Sequence, residues 1–224
     1  MPILEIENLK YAYGKQPVLR GISIQLEQGK MYAILGPSGC GKTTLLSLLG
    51  GLDSPASGQI LYQGEDIAKT GLANHRRSHV AFIFQGYNLI DYLTPMENVA
   101  LTSKQPPLPI LEQLGLTTEE ARRNVLKLSG GQQQRVAIAR ALASDAQVIL
   151  ADEPTGNLDE DTAAEITSIL KDSAHQAGKC VVVVTHSNEL AKEADVVFQL
   201  RKGQLQISTS DTDSNTKSGG KSTK

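Results

Sequence analysis

The sequence predicts an α/β fold: a mostly parallel sheet carrying a phosphate-binding loop, an N-terminal antiparallel β-subdomain and a small helical subdomain. Three observations point there. The short runs Met31–Leu35, Val80–Phe84, Val148–Ala151 and Lys179–Val184 are almost wholly apolar, as strands buried on both faces are. Near the N-terminus Leu4 and Ile6 alternate with Glu5 and Glu7, and Ile22, Ile24 and Leu26 alternate with Ser23 and Gln25, the pattern of half-exposed antiparallel strands. The nonapeptide Gly36-Pro37-Ser38-Gly39-Cys40-Gly41-Lys42-Thr43-Thr44 follows one apolar run and leads into the helix-like stretch Leu45–Leu49.

Strand, glycine loop and helix in that order define a P-loop NTPase core. Gly36 and Gly41 allow backbone conformations that turn successive N–H groups inward, and the helix aims its positive end at the same point. Lys42 is expected to reach the β- and γ-phosphates of a nucleotide, and the Thr43 hydroxyl sits where a bridging Mg²⁺ takes an oxygen. Thr44 supports the helix start.

With 224 residues the chain suits one α/β domain, expected over 1–207 with a helical insertion at about 86–145. Its 22 basic and 24 acidic residues give a net charge of −2, and with no basic stripe no nucleic-acid partner is expected. Only Cys40 and Cys180 are present, and a disulfide at Cys40 would distort the anion loop, so a reducing cytosol is the expected setting. Glu5 and Glu7 interrupt any early apolar segment, so no secretory leader is expected, and runs such as Val181–Val184 are far too short to span a membrane.

Along the chain, Tyr11–Lys15 is predicted to be a loop, and either tyrosine offers a face to an adenine ring or packs on the sheet edge. Gly51–Gly58 reads as a loop, Ile60–Tyr62 as a strand, and the polar stretch Glu65–His79 as a solvated face. Gln85 follows a buried strand on the edge where α/β sheets bind ligands. Thr94, Pro95 and Glu97 spell an N-cap, a first-turn proline and a capping-box acid. Short helices are expected around Leu111–Leu114, closed by Gly115, and over Thr117–Leu126.

Leu128–Arg135 then opens a longer helix whose Ser129 hydroxyl and Gly130 and Gly131 N–H groups form a second anion site. Val148–Ala151 ends in Asp152-Glu153-Pro154, which supplies Asp152 to hold Mg²⁺ and Glu153 to polarise an attacking water. Asp161–Ala177 is an amphipathic helix ended by Gly178. His186 follows a buried strand on the ligand edge, and Val196–Leu200 with Gln204–Ile207 reads as a closing hairpin. Residues 208–224 lack strong apolar side chains and are expected to be a disordered polar tail, in which Gly220-Lys221-Ser222 only imitates a phosphate loop.

Taken in order, Gly36–Thr44, Gln85, Leu128-Ser-Gly-Gly-Gln-Gln-Gln-Arg135, Val148–Pro154, Leu158-Asp159 and His186 resemble the ATPase subunit of an ABC transporter, over about Ile3–Ile207. Phe84–Leu89, Glu97-Asn98-Val99 and Asp152–Asp159 are similar to the macrolide-export and lipoprotein-release class, which includes antimicrobial-peptide resistance transporters. The resemblance implies that Tyr13 stacks on adenine and that Gln85 senses Mg²⁺ and the γ-phosphate. It also makes Glu153 the general base and gives His186 the γ-phosphate to hold. Ser129, Gly130, Gly131 and Gln132 would contact the ATP of an opposite subunit, with Asp159 communicating across the interface. Since each motif occurs once, it implies a head-to-tail pair with a second copy, enclosing two ATPs.

A membrane permease subunit, with a membrane-fusion or adaptor protein beside it, and a peripheral place on the cytoplasmic face of the cell membrane follow from the same resemblance. One departure is a short insertion between Glu97 and Ser129 containing Pro106, Pro107 and Pro109, which bears on the surface that meets the permease. A DNA-associated ABC ATPase would need a long coiled coil between Lys42 and Ser129, where fewer than 100 residues lie. A mechanical, cell-division-type subunit that moves no substrate remains the alternative.

Overall fold

The computed structural model describes residues 1–156 and 158–208. Asn157 and the expected tail beyond Ser208, including Gly220-Lys221-Ser222, lie outside the described residues.

Strands β1 (Leu4–Tyr13) and β2 (Gln16–Leu26) form an antiparallel hairpin, followed by β3 (Met31–Leu35) and helix α1 (Lys42–Leu49). Next come β4 (Ser57–Tyr62), β5 (Glu65–Asp66), α2 (Ile67–Thr70), α3 (Leu72–Ser78) and β6 (Val80–Ile83). The helical subdomain contains α4 (Pro95–Ala100), α5 (Leu108–Gln113), α6 (Thr118–Arg122), a 3₁₀ turn (Val125–Lys127) and α7 (Gly130–Leu142). The chain returns to the core through β7 (Val148–Asp152), α8 (Glu160–His175), β8 (Cys180–Thr185), α9 (Asn188–Lys192), β9 (Val196–Arg201) and β10 (Gln204–Ile207).

Two sheets result. The first is antiparallel, ordered β2-β1-β4-β5, and the second is ordered β10-β9-β3-β8-β7-β6, parallel except for its closing hairpin. Residues of β3, β7 and β8 are buried throughout, which explains their unbroken apolar runs. Alternate side chains serve different cores: Leu150, Val182 and Val184 pack with α1 and the antiparallel sheet. Ile149, Ala151, Val181 and Val183 pack on the opposite face with α7 and α8. Central placement of β3, β7 and β8 brings the loops after all three to one edge.

Three expectations are corrected. Tyr11–Tyr13 is strand, since β1 pairs with β2 as far as Tyr13↔Gln16 and only Gly14 and Lys15 turn. Glu65–His79 is not simply a solvated face, because α3 folds back on the end of α1 and buries His75 completely. The His75 Nε2 meets the Leu49 carbonyl at 3.0 Å, while Tyr62 stacks on His79 with ring centroids 4.0 Å apart. Finally, the helix expected over Asp161–Ala177 begins at Glu160 and stops at His175, with Asp159 as its cap. The Thr94 capping box forms as expected, with the Thr94 hydroxyl accepting from Glu97 N and the Glu97 carboxylate accepting from Thr94 N.

Candidate active site

The phosphate loop is shaped by close approach as much as by backbone freedom. Gly36 does not adopt a positive φ. Instead a Cβ there would lie 2.6 Å from the Leu200 carbonyl of β9 and 2.7 Å from Cys40 Sγ, so only glycine fits. Left-handed backbone belongs to Gly39 (φ 75°) and Gly41 (φ 105°), and Gly41 is also pressed against Val18 of β2. Gly41 caps α1 without any side-chain hydrogen bond, so the first-turn N–H groups have no side-chain acceptor. The Lys42 ammonium sits in the mouth of the loop, donating to the carbonyls of Gly36 at 2.8 Å and Pro37 at 3.3 Å.

Asp152 and Glu153 reach this loop from the end of β7. Asp152 is buried, which pushes its carboxyl above the usual carboxylate range, with the Thr43 hydroxyl hydrogen-bonding it in opposition. A hydroxyl and a carboxylate side by side are oxygen donors suited to a hard cation whose remaining ligands are phosphate oxygens and water. This donor set fits Mg²⁺. Glu153 holds a left-handed backbone, φ 47°, uncommon for a residue with a side chain. Its Oε2 accepts from Thr185 Oγ1 at 3.1 Å and His186 N at 3.3 Å, and the His186 Nδ1 lies 2.9 Å away. Pairing of Asp152 with Val184 places the two strand ends in register for these contacts.

A cleft of about 490 Å³ gathers Tyr13, Ser38, Gly39, Gly41, Lys42, Thr43, Thr44, Gln85, Asp152, Glu153 and His186. Tyr13 is 60% exposed at its rim, its hydroxyl 3.4 Å from Thr44 Oγ1 and its ring edge-on to Tyr11 at 5.1 Å. Tyr11 is anchored in turn by donating its hydroxyl to Asp53, a bond that pushes the phenol up to about 12. Gln16 and Val18 also line the cleft, and nothing in their local sequence marks them. They arrive because β2 crosses the loop, a packing relation among distant segments.

Ser129, Gly130, Gly131, Gln132 and Asp159 do not line this cleft. The Ser129 hydroxyl accepts from Gln132 N at 3.3 Å, and Gln132 Oε1 accepts from Ser129 N at 3.0 Å. Gln132 Nε2 donates to Glu120 at 2.7 Å. Asp159 caps α8 by accepting from Thr162 N at 3.0 Å. The loop and acids therefore form one site, and the Leu128–Gln132 turn, the signature turn, stands apart from it.

A glycine cradle with a lysine, a threonine beside a buried aspartate, and a glutamate held by a histidine at a parallel sheet edge define a P-loop nucleoside-triphosphatase. The family model for ABC transporters matches residues 19–156, and the chain belongs to that family. An ABC transporter ATP-binding protein of Bacillus subtilis, YclH, is 45% identical, the match covering 92% of this chain and 97% of that one. The macrolide export ATP-binding/permease protein MacB 2 of Aeromonas hydrophila is 41% identical across 92% of this chain, which spans only 34% of its length. Among solved structures, the dimeric bacterial ABC transporter cassette MJ0796 superposes with a TM-score of 0.83 at 35% identity, covering 91% of this chain and 96% of that one. The same cassette is also known in a post-hydrolysis state bound to ADP and Pi.

Proposed function

We propose that this chain is the ATP-hydrolysing subunit of an export system, pairing head to tail with a second copy and driving a separate membrane permease. One observation carries the proposal: the phosphate loop and acids share a cleft, while the Ser129 turn opens outside it. A second subunit presents the missing turn to the γ-phosphate, and two copies enclose two ATPs. MJ0796 is dimeric, which supports this arrangement.

Within one site, Lys42 leaves the Gly36 and Pro37 carbonyls to neutralise the β- and γ-phosphates. Thr43, Asp152 and Gln85 would hold Mg²⁺, which when bound offsets charge on the leaving phosphate oxygens. Glu153 takes the proton of the attacking water while His186 leaves its carboxylate to hold the γ-phosphate. Tyr13 stacks on the adenine, and Asp159 signals across the interface. Loss of the bridging phosphate opens the pair, so hydrolysis becomes motion in the partners.

No helix among the described residues is long and apolar enough to cross a membrane. A peripheral place on the cytoplasmic face beside a permease is favoured by likeness to ATP-binding/permease proteins such as MacB 2. Export of macrolides, antimicrobial peptides or related compounds, with an adaptor or membrane-fusion protein, is favoured by likeness to MacB 2. The decisive test is Glu153→Gln: ATP binding persists, turnover falls by a factor of about 10³, and ATP traps a dimer in size-exclusion chromatography. Turnover near the wild-type rate sinks the general-base role. A strictly monomeric trapped variant sinks the head-to-tail pair. Co-purification from membranes identifies the permease, and stimulation by peptides or macrolides separates export from mechanical signalling.

A further inference from the structure

Helix α7 begins at the signature turn, and its side chains grip both loops that carry catalytic groups. Gln134, only 3% exposed, donates Nε2–H to the Pro154 carbonyl at 2.8 Å, one residue beyond Glu153. Further along, Arg140 donates to the Asn88 carbonyl at 2.6 Å and the Tyr87 carbonyl at 3.1 Å, in the loop after Gln85. Tyr87 and Asn88 both hold left-handed backbone, with φ of 59° and 48°. A left-handed Tyr beside a left-handed Asn is an uncommon pair, and the Arg140 fork holds the carbonyls of both. The Tyr87 side chain returns toward the start of α7, where a Cβ on Gly130 would meet its hydroxyl at 3.0 Å.

Gln134 has a second telling feature. Its Oε1 is a buried side-chain oxygen with no hydrogen-bond partner among the described residues. A buried acceptor without a partner is unfavourable, and methionine would avoid it while filling the same space. Packing alone therefore does not explain the amide, whereas its donated bond to the Glu153 turn does.

We propose that Gln134 and Arg140 are positioning residues that tie the signature helix to the Glu153 turn and the Gln85 loop of the same subunit. Engagement of the signature turn by the opposite nucleotide thereby sets the catalytic geometry of the subunit's own site. The 13 residues of α7 form a rigid rod about 20 Å long, so a displacement at Ser129 is carried to both contacts. This rests on the head-to-tail reading above.

The test uses Gln134→Met, which keeps the volume and removes the donor, and Arg140→Lys, which keeps the charge and removes the fork. In full-length protein each is expected to bind ATP within about twofold of wild type without Mg²⁺ and to melt near the wild-type temperature. Turnover is expected to fall at least about tenfold at unchanged KM, and the Hill coefficient for ATP to drop from about two toward one. A purely structural role leaves turnover and cooperativity of folded protein intact. Wild-type turnover and cooperativity in both variants overturn the proposal, as does loss of turnover that only follows loss of folded protein. Glu153→Gln serves as the control. If ATP fails to dimerise it, the head-to-tail reading falls and takes this proposal with it; if it dimerises while Gln134→Met and Arg140→Lys behave as wild type, this proposal falls alone.

Discussion

Helices α1 and α7 both start from glycine-bearing turns, yet the two starts are built in opposite ways. At α1 the cap is Gly41, no side chain covers the first-turn N–H groups, and Lys42 places a cation in the mouth of the loop. At α7 the cap is Ser129, whose capping box with Gln132 engages the serine hydroxyl and its backbone N–H, and no basic residue lies in the first turn. Buried Asp152 and constrained Glu153 adjoin only the first. An open helix start with its own cation binds a polyphosphate unaided. A capped start without one suits a phosphate already fixed by another subunit, where a few added hydrogen bonds decide closure rather than affinity.

Substitutions that strip each turn of its defining group give the largest contrast. Lys42→Ala is expected to weaken ATP binding by about 100-fold, equivalent to about 3 kcal/mol, in calorimetric titration. Ser129→Arg should leave monomer affinity within about twofold and abolish turnover; weakened binding by the isolated monomer would place Ser129 in its own subunit's site.

Glycine replacements come next. Gly36→Ala forces a methyl against a backbone carbonyl, and about 2 kcal/mol or more of stability should be lost in denaturant titration. Gly130→Ala meets only the end of the Tyr87 side chain, so its stability loss should be smaller.

Asp152 tests the cost of preparing the first site. Burial raises its folded pKa above the unfolded value, so protonation favours the fold: its stabilising contribution is full below the unfolded pKa and disappears as pH rises through the folded one. At pH 7 the charged carboxylate is therefore a liability to the fold. Asp152→Asn should raise Tm by about 2–4 °C at pH 7 while removing Mg²⁺-dependent turnover, with the stability gain vanishing in acid. A lower Tm at pH 7 contradicts this sign.

The smallest effect sharpens the second turn. Ser129→Ala and Thr94→Ala each remove one capping hydroxyl and should each cost about 1 kcal/mol of stability. Only Ser129→Ala should also reduce turnover. Equal behaviour in both assays would reduce Ser129 to a cap.

Local sequence determined a good deal of this protein. Strand-length apolar runs gave β3, β7 and β8 because strands covered on both faces cannot show polar alternation, and the capping patterns at Thr94 and Ser129 gave helix starts because they are satisfied within four residues. That Lys42, Thr43, Asp152, Glu153, Gln85 and His186 gather at one cleft was legible because their loops follow the ends of such strands. What lay beyond reach depended on segments far apart in the chain. His75 is buried because α3 meets the end of α1, and Gly36 must be small because the Leu200 carbonyl crosses it. Gln16 and Val18 join the cleft through the passage of β2 over the loop, and Gln134 and Arg140 reach their carbonyls only once α7 packs on the sheet. A periodic pattern records which face is covered, whereas the identity of what covers it is decided by tertiary packing.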